Sequence, residues 1–350
     1  MATLSSPLTI GKHTVKNRVV VPPLVVCSLH PHGQVDDAVV EHYRSFAAGG
    51  AGIVIQEATC VSEDGLLAGP QLGLWSDDHI GQMRRIVDAV APHGALLLVQ
   101  IHYASKQGEP DNIVQVGPSE YTNHDGPHRA LTTDEVRRIR DDFIAAARRA
   151  ELAGYAGVEL HGAHGYLLCA FMNAALNRRD DVYGDTGLLN REIVQGIRQV
   201  TGPDFLLTAR VGVDNPDMAT GLGHCMALTA LGLDLLNISS GMARTAPLPV
   251  PEGFPFSELA WRGCEIKKHV SVPIIAVGDL NDPALANRLI EEGHADFAAV
   301  GRGMLVDPAW ARKAMDGGDI DRCLDCDRCV WFREHTKCPG RKLAARKAKG

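Results

Sequence analysis

Apolar runs recur eight times along the chain, at 19–24, 52–56, 96–101, 157–160, 205–211, 233–238, 273–277 and 297–300. Each is short and mainly apolar, so each predicts a buried strand. Longer amphipathic segments fill most of the gaps. The clearest starts at Thr132, where Thr132-Thr133-Asp134-Glu135 fits a capping box: the Thr side chain and the Glu carboxylate each satisfy an orphan N–H. Val136, Ile139, Phe143, Ala146, Ala147 and Ala150 then fall on one helical face, and Gly154 is placed to end the helix in the left-handed conformation.

Strands alternating with helices predict an α/β fold with a parallel sheet. Eight such units in about 300 residues predict a closed (β/α)8 TIM barrel rather than an open, doubly wound sheet. No GxGxxG follows a strand, which excludes a Rossmann domain within the chain, and no repeat appears beyond the β/α alternation itself. Residues 102–131, strewn with Gly, Pro, Asn and Asp, predict a long loop covering the active site. The pattern breaks after Asp316, which divides the chain into a barrel, 1–315, and a Cys-rich C-terminal extension, 316–350.

Composition narrows the function. With 45% hydrophobic and 22% charged residues, the chain is an ordinary soluble globular protein. A net charge of −7 argues against nucleic acid as a partner, because the one dense basic stretch, 341–349, reads as a solvated terminus. The first 16 residues hold no apolar stretch long enough for a signal peptide, and no run approaches a membrane span, so a cytoplasmic protein without a membrane partner is expected. Four of the nine Cys lie between 323 and 338; in a reducing compartment such a cluster reads as metal-binding or redox-active before it reads as disulfides. The other five look like ordinary buried or partly buried thiols, Cys27 facing away from the site among them.

In this fold the chemistry sits at the C-terminal ends of the strands. Polar residues gather there: Gln100 and His102 end the third, and His161, His164 and Tyr166 follow the fourth. Arg210 lies in the fifth, Ser239-Ser240-Gly241 closes the sixth, Gly278 follows the seventh, and Gly301-Arg302-Gly303 follows the eighth. Loops after strands seven and eight commonly hold a phosphate, with Gly admitting backbone N–H groups and Arg adding a two-pronged charge. The pair His161/His164 is open to three readings. A zinc hydrolase would need further ligands that are not evident. A core role would leave both rings satisfied by the protein. As donors to a substrate oxygen they would work beside Tyr166, which could supply a proton.

Taken together these residues resemble the Old Yellow Enzyme family of FMN-dependent ene-reductases, over about residues 7–312. The matches run from Lys16-Asn17-Arg18 and Pro23-Leu24, through His42-Tyr43, Ala48-Gly49-Gly50-Ala51-Gly52, Glu57-Ala58 and Leu98-Val99-Gln100-Ile101-His102. The most specific are Gly157 to Tyr166, Phe171, Asn177-Arg178-Arg179-Asp180 and Tyr183-Gly184, followed by Val277-Gly278 and Val300-Gly301-Arg302. The resemblance implies that Gln100 bonds the flavin pyrimidine edge, that Arg210 faces its N1/O2 side, and that Ala58 touches the ring with Pro23, Leu24, Val25 and Ser240 nearby. Gly278, Gly301 and Arg302 would hold the phosphate. His161 and His164 would bind a substrate carbonyl oxygen and Tyr166 would protonate. NADH or NADPH and a small unsaturated carbonyl compound would use one flavin face in turn, and a homo-oligomer is compatible with this. The chain departs from the family at Val25, where a Thr or Cys is usual.

Cys323, Cys326, Cys329 and Cys338 read C-x2-C-x2-C-x8-C, which suits zinc or an iron–sulfur cluster. Their position resembles the branch containing 2,4-dienoyl-CoA reductase and trimethylamine dehydrogenase, which carries a 4Fe–4S cluster there with longer second and third gaps. That branch continues into a nucleotide-binding region after the cluster; this sequence ends at Gly350, so a cluster is expected to lack that partner in the chain. The branch also leaves open two other functions: a dehydrogenase or demethylase of small amines, and an electron-transfer subunit of a larger flavoprotein complex.

Overall fold

The strands form because their apolar runs can be buried only from both sides, and the solution reached is closure. In the computed structural model, which describes residues 1–30, 32–67, 70–107, 113–123, 126–242 and 247–347, eight parallel strands close into a barrel. They are β1 (Val19–Val21), β2 (Ile53–Cys60), β3 (Leu96–His102), β4 (Gly157–Gly162), β5 (Leu206–Gly212), β6 (Leu235–Ser239), β7 (Ile274–Val277) and β8 (Phe297–Ala299). Neighbours pair in chain order, and β8 closes on β1 through Ala298↔Val19 and Ala299↔Val20.

Every strand overlaps its predicted run and differs only at the ends. β1 stops at Val21 because Pro22 and Pro23 have no N–H to give a ladder. β2 runs on to Cys60 through an irregular register between Gln56 and Thr59. The helix Thr133–Ala153 carries the predicted capping box, and it ends at Gly154 with φ +98°.

Inside, the barrel changes character from bottom to top. Val20, Ile53, Ile55, Leu98, Leu206, Leu235, Ile275 and Phe297 fill the lower layer, sealed by Ile10 and Val15 of a hairpin, Leu8–Ile10 with His13–Val15. Above them the inward-facing residues turn polar: Gln100, Glu159, Arg210 and Asn237, all buried. An apolar floor thus lies beneath a polar layer toward the C-terminal end of the strands.

Two expectations need correction. The segment after β3 is not a plain loop. Lys106–Gln107, Val114–Gly117, Tyr121–Asn123 and Gly126–Ala130 form a small four-stranded sheet of their own. Its strands are too short and too polar to show as apolar runs. The basic tail is not merely solvated: Pro339–Lys347 is a helix, and Arg341 stacks over Trp331 at 5.0 Å, while 348–350 lie outside the described residues. Trp331 and Cys338 join the main core, so the extension packs on the barrel. No helix among the described residues is long and apolar enough to cross a membrane.

Candidate active site

β4 delivers His161 at its end, and the turn after it brings His164 and Tyr166 back to the same wall. The turn is tight: His164 has φ +60°, and its N–H donates to the Ser240 carbonyl at 3.0 Å. The His161 ring lies edge-on to His164 at 5.1 Å and to Tyr166 at 4.9 Å. His161 Nδ1 accepts from the Ala163 N–H at 3.4 Å, which leaves the proton of the neutral ring on Nε2. Burial holds its pKa well below the ordinary value, with His102, His164 and Arg210 adding to the effect. His164 Nε2 lies 2.7 Å from Ser239 Oγ. Desolvation, with the Arg210 charge adding to it, pushes the His164 pKa down to about 3, although part of the residue is exposed.

His102 was not assigned a role by the sequence. It is fully buried at the end of β3, 5.1 Å from the His161 ring and 4.6 Å from that of Tyr166. Among the described residues neither of its ring nitrogens has a hydrogen-bond partner, and burial pushes its pKa down to about 3.

One layer below, a buried carboxylate organises three strands. Glu159 Oε1 accepts from Gln100 Nε2 at 2.8 Å, and its Oε2 accepts from Asn237 Nδ2 at 2.9 Å. Burial raises the Glu159 pKa, and the Arg210 charge opposes this. Arg210 itself is buried, and its Nε has no partner among the described residues. The signal for Glu159 and Asn237 was parity: along an inward face Glu159 lies two residues from His161, and Asn237 two from Ser239.

The phosphate end is a cleft of about 200 Å³ where Leu24, Arg210, Gly278, Gly301 and Arg302 meet beside Pro22 and Leu259. Gly278 has φ +129°, and a Cβ there would come within 2.6 Å of Ser257 Oγ and 2.8 Å of Leu259 Cβ, so only glycine fits. A Cβ on Gly301 would meet nothing nearer than 3.5 Å. Arg302 departs from the expected free clamp: Nη1 pairs with Asp325 at 2.9 Å and Nη2 with Asp279 at 3.4 Å. A larger cavity next door, about 590 Å³, is walled by Asp279, Asp282, Asp319, Asp321 and Asp325. Five carboxylates line this cavity and one of them, Asp279, also lines the smaller cleft beside Arg210 and Arg302, a balance that favours the smaller cleft for an anionic cofactor. There the unpartnered Arg210 Nε and the glycine cradle fit FMN.

Pro23 is buried, and Leu24 and Val25 are half-buried after β1. Ala58 is buried in β2, its carbonyl accepting from Gln71 Nε2 at 2.7 Å. The turn after Val25 is tied down by a carboxylate to which the sequence assigned no role. Glu57 Oε2 accepts from the Val26 N–H at 3.0 Å and lies 2.9 Å from His30 Nε2, while Tyr43 Oη donates to Oε1 at 2.9 Å. Cys27 is half-buried there, and burial with the Glu57 charge pushes its thiol up to about 11. Ser28 Oγ meets His335 Nδ1 at 2.7 Å, which joins this turn to the extension.

Cys323, Cys326, Cys329 and Cys338 are free thiols bordering one narrow cavity with Arg302 and Trp331. Cys326 and Cys329 are exposed, Cys338 is buried, and burial raises the Cys323 pKa. Among the described residues no three His, Cys, Asp or Glu side chains stand close enough to hold a metal ion. That applies equally to a zinc site built on His161 and His164.

A closed parallel barrel with a glycine cradle after β7 and β8 and a buried Arg at the inner wall suits a flavoprotein oxidoreductase. The chain belongs to the NADH:flavin oxidoreductase / NADH oxidase family, whose model matches residues 3–319. It is 35% identical to an NADH oxidase of Thermoanaerobacter brockii over 91% of this chain and 52% of the relative. It is 32% identical to an NADPH dehydrogenase of Halalkalibacterium halodurans over 89% of this chain and 93% of the relative. The chain thus spans about half the length of the NADH oxidase and nearly all of the NADPH dehydrogenase. Among solved structures, a 2-naphthoyl-CoA reductase superposes with a TM-score of 0.86 at 25% identity, over 96% of this chain and 56% of that one. Histamine dehydrogenase from Rhizobium sp. 4-9 superposes at 0.79 and 26% identity, over 94% and 50%.

Proposed function

We propose that this chain uses FMN and NADH or NADPH to reduce the C=C bond of α,β-unsaturated carbonyl compounds. Bound FMN supplies hydride chemistry, accepting from the nicotinamide and donating to the alkene carbon β to the carbonyl. The protein binds, orients and protonates. The free Oε1 of Gln100 and the guanidinium of Arg210 would hold the pyrimidine end, with Pro23, Leu24, Val25, Ala58 and Ser240 around the ring. Gly278, Gly301 and Arg302 would hold the phosphate.

The observation that carries the reading is the convergence of His161, His164 and Tyr166 on one wall, with ring separations of 5.1 and 4.9 Å. Depressed pKa values keep both imidazoles neutral at physiological pH. They therefore bind the carbonyl oxygen as hydrogen-bond donors and stabilise the negative charge that builds there, without becoming proton sources themselves. Tyr166 is then the acid that delivers a proton to the α-carbon. A neutral donor pair suits a carbonyl oxygen better than an amine, which would need an acceptor.

Residues 1–315 form the cofactor-binding barrel, and 316–350 form the Cys-rich extension. Four free thiols are soft donors suited to zinc or an iron–sulfur cluster, and Cys323, Cys326, Cys329 and Cys338 would be the ligands.

The test is anaerobic. Purified protein reconstituted with FMN should show flavin bands that bleach on addition of NADPH or NADH and return on addition of a cyclic enone, with saturated ketone formed. Bleaching without reoxidation by the enone would sink the alkene-reductase reading while leaving the flavin site in place. Failure to bind FMN at all would overturn the whole proposal.

A further inference from the structure

We infer that Ser239 is a positioning residue that holds the proton of His164 on Nδ1 and so makes this imidazole a donor to the substrate oxygen. The inference rests on the role just proposed for His164, and it deepens that role.

Ser239 ends β6 and is fully buried. Its Oγ lies between two groups: Arg210 Nη2 at 3.4 Å and His164 Nε2 at 2.7 Å. A guanidinium can only donate, so toward Arg210 the hydroxyl oxygen accepts. The hydroxyl proton then needs an acceptor, and His164 Nε2 is the one the described residues place within reach. If His164 instead carried its proton on Nε2, that nitrogen would donate to Oγ as well. The Ser239 O–H would then be a buried donor with nowhere to go, which protein interiors avoid. The arrangement that satisfies the Ser239 hydroxyl runs in one direction: Arg210 donates to Ser239, Ser239 donates to His164 Nε2, and the His164 proton sits on Nδ1.

The two imidazoles thus reach the same role by opposite tautomers. His161 is set by the Ala163 N–H, which occupies Nδ1 and leaves Nε2–H. His164 is set by Ser239, which occupies Nε2 and leaves Nδ1–H on a residue that is exposed in part. Ser239 also ties the donor to Arg210, so the group proposed to face the flavin and the group proposed to face the substrate share one hydroxyl. Each polarises the next along the chain.

The primary readout requires no turnover. In protein labelled with 15N-histidine, the His164 signals, identified by their loss in His164→Gln, should show a protonated Nδ1 and a bare Nε2. Ser239→Ala should convert His164 to a mixture of tautomers or to Nε2–H, and Ser239→Thr, which keeps the hydroxyl, should restore the wild-type pattern. In the FMN-loaded enzyme, Ser239→Ala should lower kcat/KM for a cyclic enone by between about tenfold and a hundredfold. Flavin reduction by NAD(P)H should stay within about threefold, and Ser239→Thr should recover most of the loss. A wild-type His164 protonated on Nε2 overturns the inference without any variant, as does a Ser239→Ala protein with unchanged tautomer and unchanged enone kinetics. If wild-type protein shows the Nδ1–H tautomer yet reduces no enone, the proposed function fails and the positioning role of Ser239 stands.

Discussion

Gln100 donates its amide N–H to Glu159 across 2.8 Å, and this bond decides which end of the amide remains for a ligand. The bond fixes the orientation of the amide, so Oε1 is the acceptor this side chain offers, and an acceptor matches the N–H of a flavin pyrimidine. Glu159 also holds Asn237 and offsets the charge of Arg210. One buried carboxylate thus orients the recognition groups of three strands.

Glu159→Gln should keep this packing. The carbonyl end of the new amide can accept from Gln100, and Asn237 can turn its own amide to offer the Oδ1 that now has no partner. What is lost is the charge opposing Arg210. Arg210 should then stabilise a negatively charged reduced flavin more strongly. The two-electron potential of bound FMN is expected to rise by roughly 30 mV, a tenfold change in the equilibrium. Spectroelectrochemistry of wild type and Glu159→Gln reads this directly, and an unchanged or lowered potential would refute it.

Tyr166→Phe removes the proposed acid and keeps the ring packed edge-on against His102 and His161. Enone reduction is expected to fall by about 10²-fold or more. Bleaching of the flavin by NAD(P)H, which needs no acid, should change little. Stopped-flow measurement of the two half-reactions separates them; equal losses in both would mean that Tyr166 serves structure rather than proton transfer.

Arg302 is paired with Asp325 of the extension at 2.9 Å. Asp325→Asn should release the guanidinium toward the phosphate cleft. Both partners are largely exposed, so the gain is small: FMN should bind apoprotein up to about fivefold tighter. Fluorescence titration with FMN measures it, and weaker binding would show that Arg302 does not serve the phosphate.

Buried imidazoles set the response to acid. His42, packed against Tyr43, Phe46 and Trp331, and His102 are both held down to about 3 by burial. His161 is shifted in the same direction. In the unfolded chain each titrates near about 6.5. Above that pH neither state is protonated and the fold keeps its full stability; below it the unfolded state gains protons that the folded state refuses. Melting temperature should therefore fall progressively from about pH 6.5 toward pH 4. His42→Phe, away from the proposed active site, should flatten part of that slope. An identical slope in the variant would show that His42 is not among the groups responsible.

Zinc or iron at the extension requires the four thiols to close on one ion or cluster. Metal analysis of anaerobically purified protein should find about one zinc per chain, or iron with acid-labile sulfide, and Cys338→Ser should lose it. Because Cys338 belongs to the same core as Trp331, the variant is also expected to loosen the extension. Protein carrying neither metal would leave the four as plain thiols.

The primary sequence by itself determined the barrel, because strands buried on both faces must be written as apolar runs and eight of them leave few alternatives. It also marked polar residues at the strand ends, and Gln100, His161, His164, Tyr166 and Arg210 all reach the C-terminal end of the barrel. The strands of 106–130 escaped notice because they are held by pairing with each other and carry little hydrophobic pattern. What only the tertiary structure decided is partnership. That Glu159 clamps Gln100, that Ser239 stands between Arg210 and His164, that Arg302 turns to Asp325, and that four regularly spaced cysteines lie apart around a cavity are facts about distance between residues far apart in the chain. Periodicity reports which face a side chain occupies; which group it meets across that face follows only when the strands close and set their register.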